Sequence, residues 1–224
     1  MADLAVLVPS RGRPQNVARL IEACAKTCRA GTQLHFGFDE DDDTRFDAMR
    51  AADGAWTSVR PRMGLAAWTN ELAGHHPDAR YLASLGDDMV PVTDGWDELL
   101  LAAQAKMGGG WTYPDDLRRT DIPEACVVDR RIVDALGWMC EPSIGHWYTD
   151  TVWADLGTGT GRLKFVPAAV VEHRHPNLGK APADATYHEA AQGFAADLAA
   201  YQKWRMRRMR ADIETVRECL SPRN

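Results

Sequence analysis

Residues 4–24, "LAVLVPSRGRPQNVARLIEAC", combine a buried strand with an amphipathic helix. Residues 4–9 form an almost unbroken apolar run, which is typical of a strand covered on both faces of a parallel sheet. Pro14 suits a first helical turn, and apolar residues recur after it at helical spacing. The stretch therefore predicts a β-loop-α unit.

The same alternation continues through the first 90 or so residues. Residues 33–39, 55–61 and 79–86 are predicted strands, and residues 63–76 carry Leu65, Trp68 and Leu72 at helical spacing. Strands that alternate with helices predict right-handed βαβ units and an α/β fold with a mainly parallel sheet.

The second half of the chain is less regular. Residues 97–107, 129–139 and 150–157 are predicted helices, and strand-like sequence returns over residues 162–167 and 169–176.

Composition fits an ordinary globular protein. Of its 224 residues, 45% are hydrophobic and 26% charged, and no apolar run reaches membrane-spanning length. The five cysteines are odd in number and form no C-x-x-C pair, so reduced thiols are expected, and the lack of a membrane-spanning run and of a basic n-region predicts a cytoplasmic location. The net charge of −6 gives no overall attraction to nucleic acid.

Polar residues follow each of the four predicted strands. They are Ser10 to Arg13 after the first, Asp39 to Asp43 after the second, Arg60 and Arg62 after the third, and Asp87-Asp88 after the fourth. The carboxyl ends of parallel strands meet at one sheet edge, where ligands bind. Arginines beside carboxylates there indicate an anionic ligand carried with a divalent cation.

The segment "SLGDDMVP", residues 84–91, allows two interpretations. Glycine, aspartate and proline in this order are common turn residues. A turn at the carboxyl end of a strand is also where a metal-bound diphosphate would lie, so the turn and metal interpretations are compatible.

The order of these motifs resembles the GT-A glycosyltransferases, in particular family 2 and its phage-borne relatives. Each motif alone is weak, and their shared order carries the resemblance. The motifs are "LAVLVPSRGRPQNVARLIEAC", "HFGFDEDDDT", "MGLAAWTNELA", "RYLASLGDDMVP", "TDTVWADLG" and "RLKFVPAAVVEHRHP".

The resemblance implies a GT-A fold, a Rossmann-like sheet that binds a nucleotide-sugar donor, over residues 1–180, with a helical extension at residues 181–224. It implies transfer of a sugar, with a UDP-sugar as the favoured donor and Mn²⁺ or Mg²⁺ as cofactor. A nucleotidyltransferase of related layout and a non-catalytic binding module are the alternatives.

Donor and metal residues follow from the family's motifs. Gly86 stands where the first aspartate of D-x-D is usual, so Asp88 is the expected metal ligand and Asp87 is left for a water-mediated or ribose contact. His173 or His175 would complete the metal site, and a regular strand would turn both to the same face. The remaining expected donor-binding residues are Pro9, Ser10, Arg11, Asp39 and Arg62. The two arginines would bind the diphosphate, and Asp39 the base or ribose.

Asp150 resembles the family's acceptor-activating carboxylate and is the predicted general base, although aspartate is also common at helix starts. His146, Trp147 and Tyr148 precede it as predicted acceptor-binding residues, and core packing explains the two larger aromatic residues equally well.

The C-terminal extension carries a basic run that includes Arg205, Arg207 and Arg208. An apolar stripe runs beside it, which predicts docking on the core or a short dimer contact. The sharper hypothesis is that these arginines hold a phosphate backbone, so that the acceptor is a hydroxymethylated base in DNA. The stripe consists of Met206, Met209, Ile213, Val216 and Leu220. The sequence leaves the sugar and the oligomeric state open.

Overall fold

The first predicted strand lies inside a mixed sheet. The computed structural model describes residues 3–221, and within them eight strands form one sheet in the order β3-β2-β1-β4-β7-β6-β8-β5. The strands are β1 (Leu4–Ser10), β2 (Gln33–Asp39), β3 (Trp56–Arg60), β4 (Tyr81–Ser84), β5 (Met89–Pro91), β6 (Trp111–Asp115), β7 (Cys126–Asp129) and β8 (Leu163–His173).

The four strands predicted in the first half of the chain are parallel neighbours. β1 pairs with β2 and β4, and β2 pairs with β3, in parallel. The other half is mixed, because β7 runs antiparallel to β4 and β6, whereas β6 and β8 run parallel. The predicted α/β class with a mixed, mainly parallel sheet is confirmed.

Three short strands have no counterpart in the sequence prediction. β5, β6 and β7 have only three to five residues each. The two strand-like segments around Pro167 form one strand, β8, whose register against β6 jumps from Val166 to Val170. This irregularity lets a single strand pass the proline.

Helices cover both faces of the sheet and enclose two apolar clusters. One cluster includes Trp68, Trp111 and Trp153, and the other includes Phe36 and Trp96. Within residues 3–221, no helix is both long and apolar enough to cross a bilayer. The helices are α1 (Pro14–Thr27), α2 (Arg45–Ala51), α3 (Leu65–Gly74), α4 (Trp96–Met107), α5 (Arg130–Leu136), α6 (Thr149–Thr160), α7 (Ala185–Gln192), α8 (Phe194–Arg207) and α9 (Met209–Leu220).

Helix α6 extends past the predicted end at residue 157, through two glycines. A Cβ at Gly157 would lie 2.8 Å from Leu163 Cβ, and one at Gly159 would lie 2.4 Å from Ile213 Cδ1. Glycine at these two positions lets β8 and α9 pack closely against α6. The helix continues through "GTG" to Thr160.

The C-terminal helices pack on the sheet's own core. Trp204, Val216 and Leu220 are buried in the cluster that contains Trp111, which agrees with the docking interpretation of the stripe. Met206 is an exception at 79% exposure, because it lies two residues after the buried Trp204 and therefore on the opposite side of α8. Residues 1–2 and 222–224 of the two predicted domains lie outside the described range.

A buried histidine pair joins β2 to the end of α3. His35 Nδ1 lies 2.8 Å from His76 Nε2, and His35 Nε2 lies 2.9 Å from Ser58 Oγ. Burial lowers the pKa of His35 to about 4, and burial also lowers the pKa of His76.

We expect this pair to make folding sensitive to acid. Since the pKa of His35 lies near 6.5 when unfolded and near 4 when folded, the free energy of unfolding should fall as pH drops through that interval. Urea unfolding at pH 7 and pH 5 should show a smaller pH effect in His35→Asn and His76→Asn than in the wild type. His188→Asn, at an exposed histidine of α7, is the control, and an unchanged pH effect in both buried variants would contradict the expectation.

Candidate active site

A cleft of about 810 Å³ opens at the carboxyl ends of β1, β2 and β4. Every donor-binding, metal, acceptor and catalytic residue predicted from the sequence lines it. They are Pro9, Ser10, Arg11, Asp39, Arg62, Asp87, Asp88, His146, Trp147, Tyr148, Asp150, His173 and His175. A larger groove at the opposite edge of the sheet, about 1030 Å³, contains none of these residues.

Asp88 and His173 face each other in the floor of the cleft. Asp88 Oδ2 lies 3.4 Å from His173 Nε2, and both side chains are buried. Although burial opposes both shifts, the ion pair between them lowers the pKa of Asp88 to about 2 and helps raise that of His173 to about 9. Asp88 is therefore a carboxylate, the form that binds a cation, whereas its two carboxylate neighbours stabilise His173 as an imidazolium that must lose a proton to ligate a metal ion.

The structure distinguishes the two histidines. β8 ends at His173, so His175 lies beyond the strand, where its Nδ1 accepts a hydrogen bond of 3.1 Å from the Asn177 amide. Its ring packs edge-on against His173 and Tyr187. His173 is thus the histidine that faces Asp88.

Asp87 is fixed by two groups of the first motif. Ser10 Oγ donates to Asp87 Oδ2 at 2.6 Å, and Arg13 Nη1 donates to Asp87 Oδ1 at 3.0 Å. Burial, partly offset by Arg13, raises the pKa of Asp87 to about 6. Arg13 also forms a two-pronged pair with Asp184, at 2.7 and 2.8 Å.

Asp39 is buried at the end of β2 and accepts three hydrogen bonds. Its donors are Trp68 Nε1 at 2.7 Å, the Met63 amide at 3.1 Å and Arg11 Nη1 at 3.1 Å. Arg11 also contacts the exposed Asp41 at 2.5 Å. The structure therefore places Arg11 beside Asp39, and Arg13 beside the Asp87-Asp88 pair.

Helix α7 covers the cleft through polar contacts, and none of its residues is buried. Tyr187 donates its hydroxyl to Asp88, and the Arg13 guanidinium lies 4.2 Å from the centre of the Tyr187 ring. Glu189 pairs with Arg62 at the rim.

The segment from Gly145 to Tyr148 is held by one carboxylate of α8. Asp197 accepts hydrogen bonds from the Gly145, His146 and Trp147 amides at 2.8 to 2.9 Å. Tyr148 takes φ of +69°, a strained value for a non-glycine residue, and its ring stacks on Tyr201.

Asp150 lies in the first turn of α6 and faces the cleft. Its Oδ1 accepts the Thr151 amide at 2.7 Å, and burial raises its pKa. A carboxylate whose proton affinity is raised in this way is a better general base.

The predicted nucleic-acid residues do not line the cleft. Arg205 lies 3.7 Å from Asp155, and Arg208 lies 3.8 Å from Glu141 and 3.6 Å from Asp212. Arg207 is exposed.

Sequence reasoning missed five residues that shape the cleft. Arg13 lies two residues after Arg11 in the "SRGRP" motif, and the reason for expecting Arg11 at the diphosphate, the match of a guanidinium to phosphate oxygens, applies equally to Arg13. The other four act across long sequence separations and carry no local pattern. They are Glu124, Asp184, Tyr187 and Asp197.

Solved structures share this fold at low sequence identity. The mannosyltransferase PcManGT from Pyrobaculum calidifontis, in complex with GDP-Man and Mn²⁺, has a TM-score of 0.64 and 11% identity, covering 97% of this chain and 73% of its own. Glucosyl-3-phosphoglycerate synthase from Mycobacterium tuberculosis, in complex with Mn²⁺, UDP-glucose and phosphoglyceric acid, has a TM-score of 0.62 and 12% identity, covering 88% of this chain and 79% of its own.

TarS from S. aureus, in complex with UDP, is also similar. Its TM-score is 0.59 at 8% identity over 75% of this chain, which spans 59% of the TarS chain. No family model and no curated protein sequence matches this chain. The structural likeness establishes the fold, and the predicted GT-A fold is confirmed.

We expect the Asp197 carboxylate to be a main anchor of the segment before α6. Asp197→Ala should lower the free energy of unfolding by roughly 2–3 kcal/mol, because three backbone amides lose a charged acceptor. Asp155→Ala is the matched control. The Asp155 carboxylate accepts one hydrogen bond, from the Tyr201 hydroxyl of α8, so its loss should lower the free energy of unfolding by about 1 kcal/mol or less. Equal decreases in the free energy of unfolding of the two variants, measured by urea unfolding, would contradict the role of Asp197 as an anchor.

Proposed function

We propose that this protein transfers a sugar from a nucleotide-diphosphate sugar to an acceptor hydroxyl, with the help of a divalent cation. The observation that carries the proposal is the buried Asp88–His173 pair, 3.4 Å apart, at the carboxyl edge of a GT-A sheet. The fold alone carries less weight, because one fold hosts many activities. Support also comes from the complexes of similar fold with UDP, or with Mn²⁺ and a nucleotide sugar.

The donor set of the cleft fits a cation of the Mg²⁺ or Mn²⁺ class. Asp88 supplies a hard carboxylate oxygen and His173 an imidazole nitrogen, and the imidazole favours Mn²⁺ over Mg²⁺. When bound, such an ion neutralises negative charge that grows on the leaving diphosphate. Tyr187, which donates to Asp88, would yield that oxygen to the ion.

The nucleotide would lie along the strand ends from Asp39 to Asp88. In this proposal Asp39 hydrogen-bonds the base or ribose, after Arg11 turns from Asp39 and Asp41 toward the diphosphate. Arg62, half-exposed at the rim, is the second diphosphate contact, and Pro9 and Ser10 line the wall beside the ribose. Asp87 is already engaged by Ser10 and Arg13, which suits a ribose or water-mediated role. UDP is the favoured nucleotide.

Asp150 would act as general base. Its carboxylate takes the acceptor hydroxyl proton as that oxygen bonds to the anomeric carbon and the bond from that carbon to the diphosphate oxygen breaks. A base on the acceptor side favours inversion of the anomeric centre. His146, Trp147 and Tyr148 form the wall beside Asp150 and would contact the acceptor.

We propose a hydroxymethylated base in DNA as the acceptor. The exposed Arg207 and the neighbouring Arg205 and Arg208 would contact phosphates. The last two are within 4 Å of carboxylates, so they would have to exchange those partners for phosphate. A phage origin and a cytoplasmic location stay predictions of the sequence.

Asp88→Asn should abolish metal-dependent nucleotide binding. At a hundredfold excess of UDP over its Kd with Mn²⁺ present, we expect the wild-type melting temperature to rise by roughly 5–10 °C, and that of the variant to stay unchanged. Asp43→Asn, at an exposed carboxylate of the acidic segment that follows β2, is the control. GDP, CDP and dTDP complete the panel, and indifference of the wild type to every nucleotide and metal would favour the non-catalytic alternative.

Asp150→Asn should retain donor binding but slow transfer by about 10²–10⁴-fold, because the acceptor proton loses its base. Mass spectrometry of products from UDP-sugars with glycan, protein and hydroxymethylated DNA acceptors measures this. Transfer at the wild-type rate would remove the role of Asp150. A glycosylated glycan or protein with unmodified DNA would rule out the DNA acceptor, and a nucleotidylated product would favour the nucleotidyltransferase alternative.

A further inference from the structure

A second carboxylate lies behind His173, on the side away from Asp88. Glu124, from the loop between β6 and β7, places its Oε2 2.8 Å from His173 Nδ1. The Glu124 side chain is only 9% exposed. His173 is therefore held between two buried carboxylates, one on each ring nitrogen.

The loop that carries Glu124 is fastened to the end of β8. The His173 amide donates to the Asp116 carbonyl at 3.0 Å, and Asp116 Oδ1 accepts the Arg118 and Arg119 amides at 2.8 and 2.7 Å. Arg118 also donates its guanidinium to Glu124. These contacts fix the carboxylate against the imidazole.

This arrangement determines which nitrogen of His173 is available. A carboxylate only accepts hydrogen bonds, so Nδ1 carries the proton that it donates to Glu124. In a neutral imidazole the lone pair then lies on Nε2, the atom that faces Asp88. A carboxylate that orients a metal-binding histidine in this way also makes it a stronger ligand.

We propose that Glu124 is a positioning residue for the metal site and acts through His173. This inference rests on the proposed function, since it presumes that Asp88 and His173 hold the cation. Without Glu124 the ring is free to rotate or to place its proton on Nε2, which would block ligation.

A competing arrangement uses the same atoms differently. Asp116, Glu124 and His173 each place a ligand atom within 4.8 Å of the others, and Asp116 Oδ2 is buried without a hydrogen-bond partner among the described residues. An ion held there would make Glu124 a direct ligand. Glu124 makes a short contact with His173 Nδ1, and Asp88 faces Nε2 on the other side of the ring. Both observations favour the positioning role.

A double-mutant cycle on Mn²⁺ affinity tests the proposal. Mn²⁺ binding, measured from the electron paramagnetic resonance signal of the free ion, should weaken about 10–100-fold in Glu124→Ala. The Mn²⁺ affinity of Glu124→Gln should lie between those of Glu124→Ala and the wild type, because the glutamine amide oxygen still accepts a hydrogen bond from His173 Nδ1 but carries no charge. Glu172→Ala, a carboxylate of β8 that pairs with Lys180, is the matched control and should bind as the wild type does.

The decisive comparison uses the His173→Ala background, where Glu124→Ala should have no further effect. An additional loss there would show that Glu124 binds the ion itself and would overturn the proposal. Wild-type affinity in both Glu124 variants beside weak binding in His173→Ala would also overturn it, while the proposed function stands. Wild-type affinity in both Asp88→Asn and His173→Ala would instead reject the metal site of the proposed function. If Glu124→Ala does not fold, the isosteric Glu124→Gln carries the same comparison.

Discussion

The architecture of the cleft depends on the turn that brings Asp88 to the end of β8. After β4 the chain reverses at Gly86, where a Cβ would lie 2.5 Å from Asp88 Oδ1. It then enters β5, whose Met89 pairs with His173, and the Arg174 amide donates to the Asp88 carbonyl at 2.9 Å. Two residues far apart in sequence thus become neighbours through backbone pairing. A Cβ at Gly86 would have to displace the Asp88 carboxylate, whose other oxygen faces Tyr187 and His173.

Much of this could be predicted from local sequence. The parallel strands carry strong apolar signals, and the rule that their carboxyl ends share an edge brought Ser10, Asp39 and Asp88 together. The choice of His173 over His175 required knowing that β8 ends between them. Glu124 and Tyr187 could not be predicted, because each reaches the cleft from a segment without periodicity, across 49 and 99 residues respectively.

The C-terminal helices are part of the same structural unit as the cleft. Helix α8 buries Trp204 in the core beneath the sheet and uses Asp197 to fix the segment before Asp150. The strained φ of Tyr148 is maintained by its packing on Tyr201 of the same helix. The extension therefore orients the proposed base and acceptor wall, whatever its basic surface binds.

A crystal structure with Mn²⁺ and UDP tests the central claim most directly. Anomalous scattering at the manganese edge should give one strong peak that contacts both Asp88 Oδ2 and His173 Nε2, with the diphosphate as its other neighbour. Tyr187 should then have left Asp88. A peak on the far side of His173, between Glu124 and Asp116, or UDP bound without any peak near Asp88, would contradict the account.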